Sequence, residues 1–172
     1  MNHNNADQLL TIDLKTEEAD FDAIKKYKDI KTIRFNNCSD NFTIPDQLGT
    51  INTLKSLKFF SNGKSNFSCP NNLHLMQQVR HLQLWTHCDL GHIPVLQQIK
   101  ELEISIKDPI KDLENVLISF PNLTGLELWG SKYKDKQLSK KIGDFKHLKS
   151  LALVPCGLST LPPEIVKLKQ LT

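Results

Sequence analysis

Apolar residues recur along this chain in a fixed comb, apolar-x-x-apolar-x-apolar, seven times over. The combs are Leu9-Ile12-Leu14, Ile30-Ile33-Phe35, Leu54-Leu57-Phe59, Val79-Leu82-Leu84, Ile99-Leu102-Ile104, Leu123-Leu126-Leu128 and Leu148-Leu151-Leu153. An eighth begins at Leu168 and Leu171. Their first positions, at 9, 30, 54, 79, 99, 123 and 148, are spaced 21, 24, 25, 20, 24 and 25 residues apart. A unit this short cannot bury its apolar face alone, so it must stack on its neighbours in a continuous coil. The last three comb positions alternate with polar residues, which is the period of a strand. Each strand is therefore expected beside its counterpart in the next unit, parallel and about 4.8 Å away.

The stretches between strands return along the opposite side. Ala23-Ile24-Tyr27, Ile93-Leu96-Ile99, Leu113-Val116-Leu117-Phe120 and Leu138-Ile142-Phe145 carry a helix-like spacing. The most regular helices are expected over 112–120 and 135–145. Pro45, Pro94, Pro109 and Pro162 stand at the starts of returns, where a missing N–H costs little. Residues 61–72, SNGKSNFSCPNN, read as a polar loop.

The final unit is the most regular, with Leu148, Leu151, Leu153, Cys156 and Leu158, then Leu161-Pro162-Pro163-Glu164-Ile165. This pattern resembles the leucine-rich repeat family, whose consensus is L-x-x-L-x-L-x-x-N/C-x-L with a period of about 20–29 residues. The other units are degenerate at the ninth position, which reads Cys38, Asn62, His87 (or Cys88 after a one-residue insertion), Lys107, Ser131 and Cys156. The resemblance implies an α/β leucine-rich-repeat solenoid, a horseshoe with a parallel concave sheet and convex helices or irregular turns. The expected division is a flexible segment 1–8 and one repeat domain 9–172. Within it, 9–29 is an N-terminal capping unit and 30–172 about six repeats, with an uncapped C-terminal end.

Of 172 residues, 39% are hydrophobic and 24% charged, a balance that disordered tails lack. No run approaches the roughly 18 apolar residues of a membrane span. The first fifteen residues have neither a basic start nor an apolar segment of the secretory kind. A cytoplasmic protein is expected, or one delivered to a host cytosol if it is an effector. The net charge of +3 is too small to indicate nucleic acid. Seven lysines against two aspartates between 131 and 150 read as a solvated convex face. Cys38, Cys88 and Cys156 fall at or beside the buried ninth position and are expected reduced. Cys69 is expected exposed in the polar loop. The histidines of 81–92 lack zinc-ligand spacing, and no metal or cofactor is expected. No phosphate loop, nucleophile elbow or zinc-protease motif is present, and Glu101, Glu103 and Glu127 stand on an open face that encloses no substrate. No enzyme is expected.

Function is therefore sought on the concave face. Its side chains are the polar positions of each strand: Thr11-Asp13-Lys15, Thr32-Arg34-Asn36, Ser56-Lys58-Phe60, His81-Gln83-Trp85, Glu101-Glu103-Ser105, Gly125-Glu127-Trp129 and Ser150-Ala152-Val154. Both tryptophans of the chain fall in one column with Phe60, and aromatics are enriched in binding hot spots. Arg34, Lys58 and His81 come from early units, and Glu101, Glu103 and Glu127 from later ones, so the face is bipolar. His81 is expected beside Glu101. The expected role is a non-catalytic protein-interaction module or adaptor using Arg34, Lys58, Phe60, His81, Gln83, Trp85, Glu101, Glu103, Glu127 and Trp129. The alternatives are a scaffold segment of a longer array, self-associating through the C-terminal coil, and an effector-type protein that meets a host or fellow-effector protein.

Overall fold

Alternation of buried and exposed or half-exposed side chains marks the strands, most regularly those at Leu9–Asp13, Thr32–Asn36, Glu101–Ser105 and Gly125–Trp129. Ile33 and Phe35 are buried while Thr32, Arg34 and Asn36 are half-exposed, and the same alternation returns unit after unit. The structure is a computed structural model that describes residues 2–4, 8–15, 24, 29–38, 42–61, 69–85, 93–105, 111–130, 137–154 and 158–172. Its strands are β1 (Asn2–Asn4), β2 (Leu9–Asp13), β3 (Thr32–Asn36), β4 (Ser56–Phe60), β5 (His81–Trp85), β6 (Glu101–Ser105), β7 (Gly125–Trp129) and β8 (Ser150–Val154). They form one sheet in chain order. Strands β2 to β8 run parallel, as expected, and β1 pairs antiparallel with β2. Residues 2–4, expected to be part of a flexible segment, are thus a strand of the sheet.

The first unit corrects the expected register. Leu10 and Ile12 pair with Ile33 and Phe35 and are buried like them. The concave positions of that unit are therefore Leu9, Thr11 and Asp13, two residues earlier than Thr11, Asp13 and Lys15. Leu14 packs against the core from beyond the strand, and Lys15 is exposed.

The returns wind with a period of three. Leu48, Ile51 and Leu54 each donate a backbone N–H to the carbonyl three residues earlier, beginning at Pro45. The same cascade runs Pro70-Leu73-Met76-Val79, Ser139-Ile142-Phe145-Leu148 and Pro162-Ile165-Leu168-Leu171. Each opens with a five-residue 3-10 turn, at Asp46–Thr50, Asn71–Leu75, Lys140–Asp144 and Pro163–Lys167. A 3-10 turn rises about 2 Å per residue, so few residues cross the width of the coil. The helix expected over 135–145 is this short turn, with 131–136 outside the described residues. Ile93, Leu96 and Ile99 are buried at the same spacing without a helix. Among the described residues the one α-helix is α1 (Lys111–Ser119), where the apolar spacing changes to Leu113, Val116 and Phe120.

Side-chain amides tie one return to the next. Gln78 Nε2 lies 3.1 and 3.3 Å from the carbonyls of Leu48 and Ile51 in the preceding coil. Gln98 donates to Leu73 and Asn122 to Gln97 in the same way, which satisfies carbonyls that no sheet partner reaches. No described helix is long and apolar enough to cross a membrane.

Inside the early coils, the Phe35 and Phe59 rings stack with centroids 5.4 Å apart, and Phe42 tilts onto Phe35 at 4.9 Å. Cys38 is buried as expected, its Sγ 3.5 Å from the Phe35 carbonyl oxygen, and desolvation pushes its thiol up to about 12. Cys69 is only 5% exposed, which overturns the expected surface position: it lies just before Pro70, where the chain re-enters the coil. Asn62, His87, Cys88, Lys107, Ser131 and Cys156 lie outside the described residues.

Two outcomes follow from this packing. Phe59→Ala should lose about 3–5 kcal/mol in chemical denaturation, because a stacked, fully buried ring leaves a cavity. Cys38 should resist iodoacetamide in the native protein at mildly alkaline pH and react on unfolding, as mass spectrometry of the labelled peptide will show.

Candidate functional site

The parallel register sets concave side chains in rows across the strands. Arg34 and Lys58 are paired across β3 and β4, Phe60 and Trp85 across β4 and β5, and Glu103 and Glu127 across β6 and β7. Rings and charges that are far apart in sequence thereby become neighbours at the strand spacing of about 4.8 Å.

The aromatic column forms a continuous ladder. Phe60 and Trp85 have centroids 5.4 Å apart, and Trp85 and Trp129 are 5.0 Å apart. The second contact spans β6, where Ser105 occupies the column position. A hydroxymethyl group is small enough to let two indoles meet above it. At the other end the Arg34 guanidinium carbon lies 3.9 Å from the Phe60 ring centroid, a cation–π contact. Arg34 Nε also donates to Asn36 Oδ1 at 2.9 Å, which fixes the guanidinium over the ring. Trp85 remains 38% exposed, and Trp129 is half-buried with its Nε1 unpaired among the described residues.

Beside the ladder lies a hydrogen-bonded chain. Ser56 Oγ is 2.7 Å from His81 Nδ1, and His81 Nε2 is 2.9 Å from Glu103 Oε1. Gln83, buried to 5% exposure, donates its Nε2 to the other oxygen of Glu103. The partner of His81 is thus Glu103, diagonal to it, and not the expected Glu101 directly across. A diagonal neighbour is within reach of long side chains. The carboxylate accepts from Nε2–H, so in the neutral imidazole Nδ1 accepts the Ser56 hydroxyl proton.

A serine, histidine and carboxylate thus stand in sequence, with Ser56 buried in the sheet and the neighbouring β4 and β5 paired in the parallel ladder. The chain holds His81, Gln83 and Glu103 in one rigid row. Among the described residues no group of three or more histidines, cysteines or carboxylates could hold a metal ion.

Two depressions flank this row. One, of about 440 Å³, is bordered by Thr32, Arg34, Lys58, Phe60 and Trp85 and is basic. The other, of about 250 Å³, is bordered by His81, Glu101, Glu103, Glu127 and Ser150 over the bare backbone of Gly125. The expected bipolarity is present, with His81 drawn to the acidic side by Glu103. Ser56, Ser105 and Gly125, which the repeat places on the concave face, also contribute to the site, although none carries a ring or a charge that marks it as a binding residue.

The tryptophan pair has an optical consequence. Two indoles at 5.0 Å should give a coupled near-ultraviolet circular dichroism band that either Trp85→Ala or Trp129→Ala removes. The half-exposed Trp85 should cost less than about 1.5 kcal/mol of stability when truncated, the range of an aromatic pair.

No family model matches the sequence. Among solved structures the chain is similar to the leucine-rich repeat domain of the type III effector XopL, at 18% identity and a TM-score of 0.51, covering 96% of this chain and 67% of that one. It is also similar to an LRR protein of Leptospira interrogans, at 22% identity and a TM-score of 0.40, covering 83% of this chain and 47% of that one. The chain spans two thirds of the length of the first and about half of the second. The likeness to the first is one of fold. The seven parallel strands in one sheet, their register and the repeat together make the fold of this chain a leucine-rich-repeat solenoid.

Proposed function

With the solenoid as scaffold, we propose that this chain is a non-catalytic protein-interaction module that holds a partner protein on its concave face. The observation that carries this reading is the Phe60–Trp85–Trp129 ladder on a concave face that also holds two depressions of opposite charge. A half-exposed tryptophan held by its neighbours offers a large apolar surface with little conformational freedom left to lose on binding. Arg34 and Lys58 on one side, and Glu101, Glu103 and Glu127 on the other, set the orientation of the partner and reject like-charged ones. A role of the effector kind, meeting a host or fellow-effector protein in a cytosol, is the narrower form of this reading, and the identity of the partner decides it.

The test is affinity capture with the intact protein beside Trp85→Ala, after both show the same far-ultraviolet circular dichroism. A partner held by the intact protein should bind the variant at least about tenfold more weakly, a loss of about 1.4 kcal/mol. Equal capture would place binding elsewhere.

A second reading, the scaffold role, has its own observation. Among the described residues no further strand pairs with β8, and the coil that follows leaves Leu161 49% and Val166 69% exposed. Self-association through this end should appear as a rise in mass with concentration in sedimentation equilibrium. Val166→Lys should abolish that rise while leaving partner capture on the concave face intact.

A further inference from the structure

Gly125 opens β7 at a concave position and forms the floor of the acidic depression. In the same row, the other units carry Leu9, Thr32, Ser56, His81, Glu101 and Ser150. Glycine within a strand is destabilising relative to a residue with a side chain. The backbone there does not require it, because Gly125 does not have the positive φ that side chains avoid. Nor does crowding require it: an added Cβ would lie 3.2 Å from Ser150 Oγ and 3.4 Å from Glu101 Cγ, both on side chains that can give a few tenths of an ångström. What the missing side chain does provide is the depression itself.

The chemistry around this space is one-sided. Glu101 is exposed and Glu127 half-exposed, and neither makes an ion pair among the described residues. Glu103 is held toward β5 by His81 and Gln83, on the side away from β7, which leaves Glu101 and Glu127 as the carboxylates free to face the depression. Like charges in adjacent strands disfavour each other, and a cation placed between them removes the penalty. The depression of about 250 Å³ is below the range of small-molecule pockets, about 300–1,000 Å³, and has the scale of a single side chain. Two separate carboxylates above a bare backbone floor match a planar guanidinium with several donors better than a compact ammonium.

We propose that the Gly125 notch receives an arginine side chain of the partner protein, clamped between Glu101 and Glu127. This deepens the proposed function and rests on it. The partner then presents an apolar side chain to Trp85 and, about 16 Å away, an arginine to the notch, because Gly125 lies two strands across and four residues back along the strand, at about 4.8 Å per strand and about 3.3 Å per residue.

The first probe is N-acetyl-arginine N-methylamide, titrated into the intact protein by nuclear magnetic resonance beside its citrulline counterpart, which keeps the shape and lacks the charge. Saturable shifts at Gly125 and its neighbours are expected with the arginine compound alone. The Glu101→Gln/Glu127→Gln variant should weaken them about tenfold or more. Gly125→Thr fills the notch without removing a charge, and should abolish them while the melting temperature stays level or rises. Equal shifts from citrulline, no shift with either compound, or unaltered binding by folded Gly125→Thr would each overturn the assignment.

A random-peptide display selection on the intact protein separates this inference from the broader one. Selected peptides that carry arginine and lose at least tenfold in affinity for Glu101→Gln/Glu127→Gln support the notch. Peptides that lose affinity for Trp85→Ala yet bind the carboxamide variant unchanged leave the interaction module standing and sink the notch. A selection that yields no peptide sensitive to Trp85→Ala counts against both.

Discussion

One carbonyl oxygen per coil holds the register of the molecule. The carbonyl that precedes each strand accepts two consecutive backbone N–H groups from the next coil: Gln8 from Lys31 and Thr32, Lys31 from Lys55 and Ser56, Lys55 from Arg80 and His81. The pattern continues through Arg80, Lys100 and Thr124. Because each such oxygen takes two N–H donors, a slip of the next strand by one residue breaks both bonds at once. A slip of one would also turn Ile33 and Phe35 out of the core and Arg34 into it. Hydrogen bonding and apolar burial therefore enforce the same alignment, and every row on the concave face inherits it.

The face depends on that alignment more than on any single contact. The indoles of Trp85 and Trp129 meet because β5 and β7 stand in phase on either side of a strand that carries a serine at the matching place. Glu103 reaches His81 and Gln83 together because it stands across from the second and diagonal to the first. Small residues matter here as much as large ones. Ser105 makes room above itself for a contact, and Gly125 makes room for something to enter.

The strands were legible in the chain because alternation of period two has no rival reading over five residues. The returns were harder. Apolar residues three apart, as in Leu48-Ile51-Leu54, fit one side of a helix as well as a chain of three-residue turns. The decision lies in Pro45, Pro70 and Pro162 and in how few residues must cross the coil, which only the stacked geometry reveals. The first unit offered two overlapping combs, since Leu9, Leu10, Ile12 and Leu14 are all apolar. Pairing with β3 selected Leu10 and Ile12, although the residue that heads that comb, Asp7, is polar. At the site, columns could be read from spacing alone. Which carboxylate His81 turns toward could not, because direct and diagonal neighbours lie within reach of the same rotamers.

The two edges of the described sheet are not equivalent. At one edge the three-residue β1 runs against the direction of its neighbour, while at the other the five-residue β8 keeps the common direction. Beside β8 the Thr172 N–H already bonds the Lys149 carbonyl at 2.9 Å, the bond that opens each parallel pairing in the earlier coils, so a strand laid against that edge starts in register, whereas one laid against β1 meets a reversed neighbour.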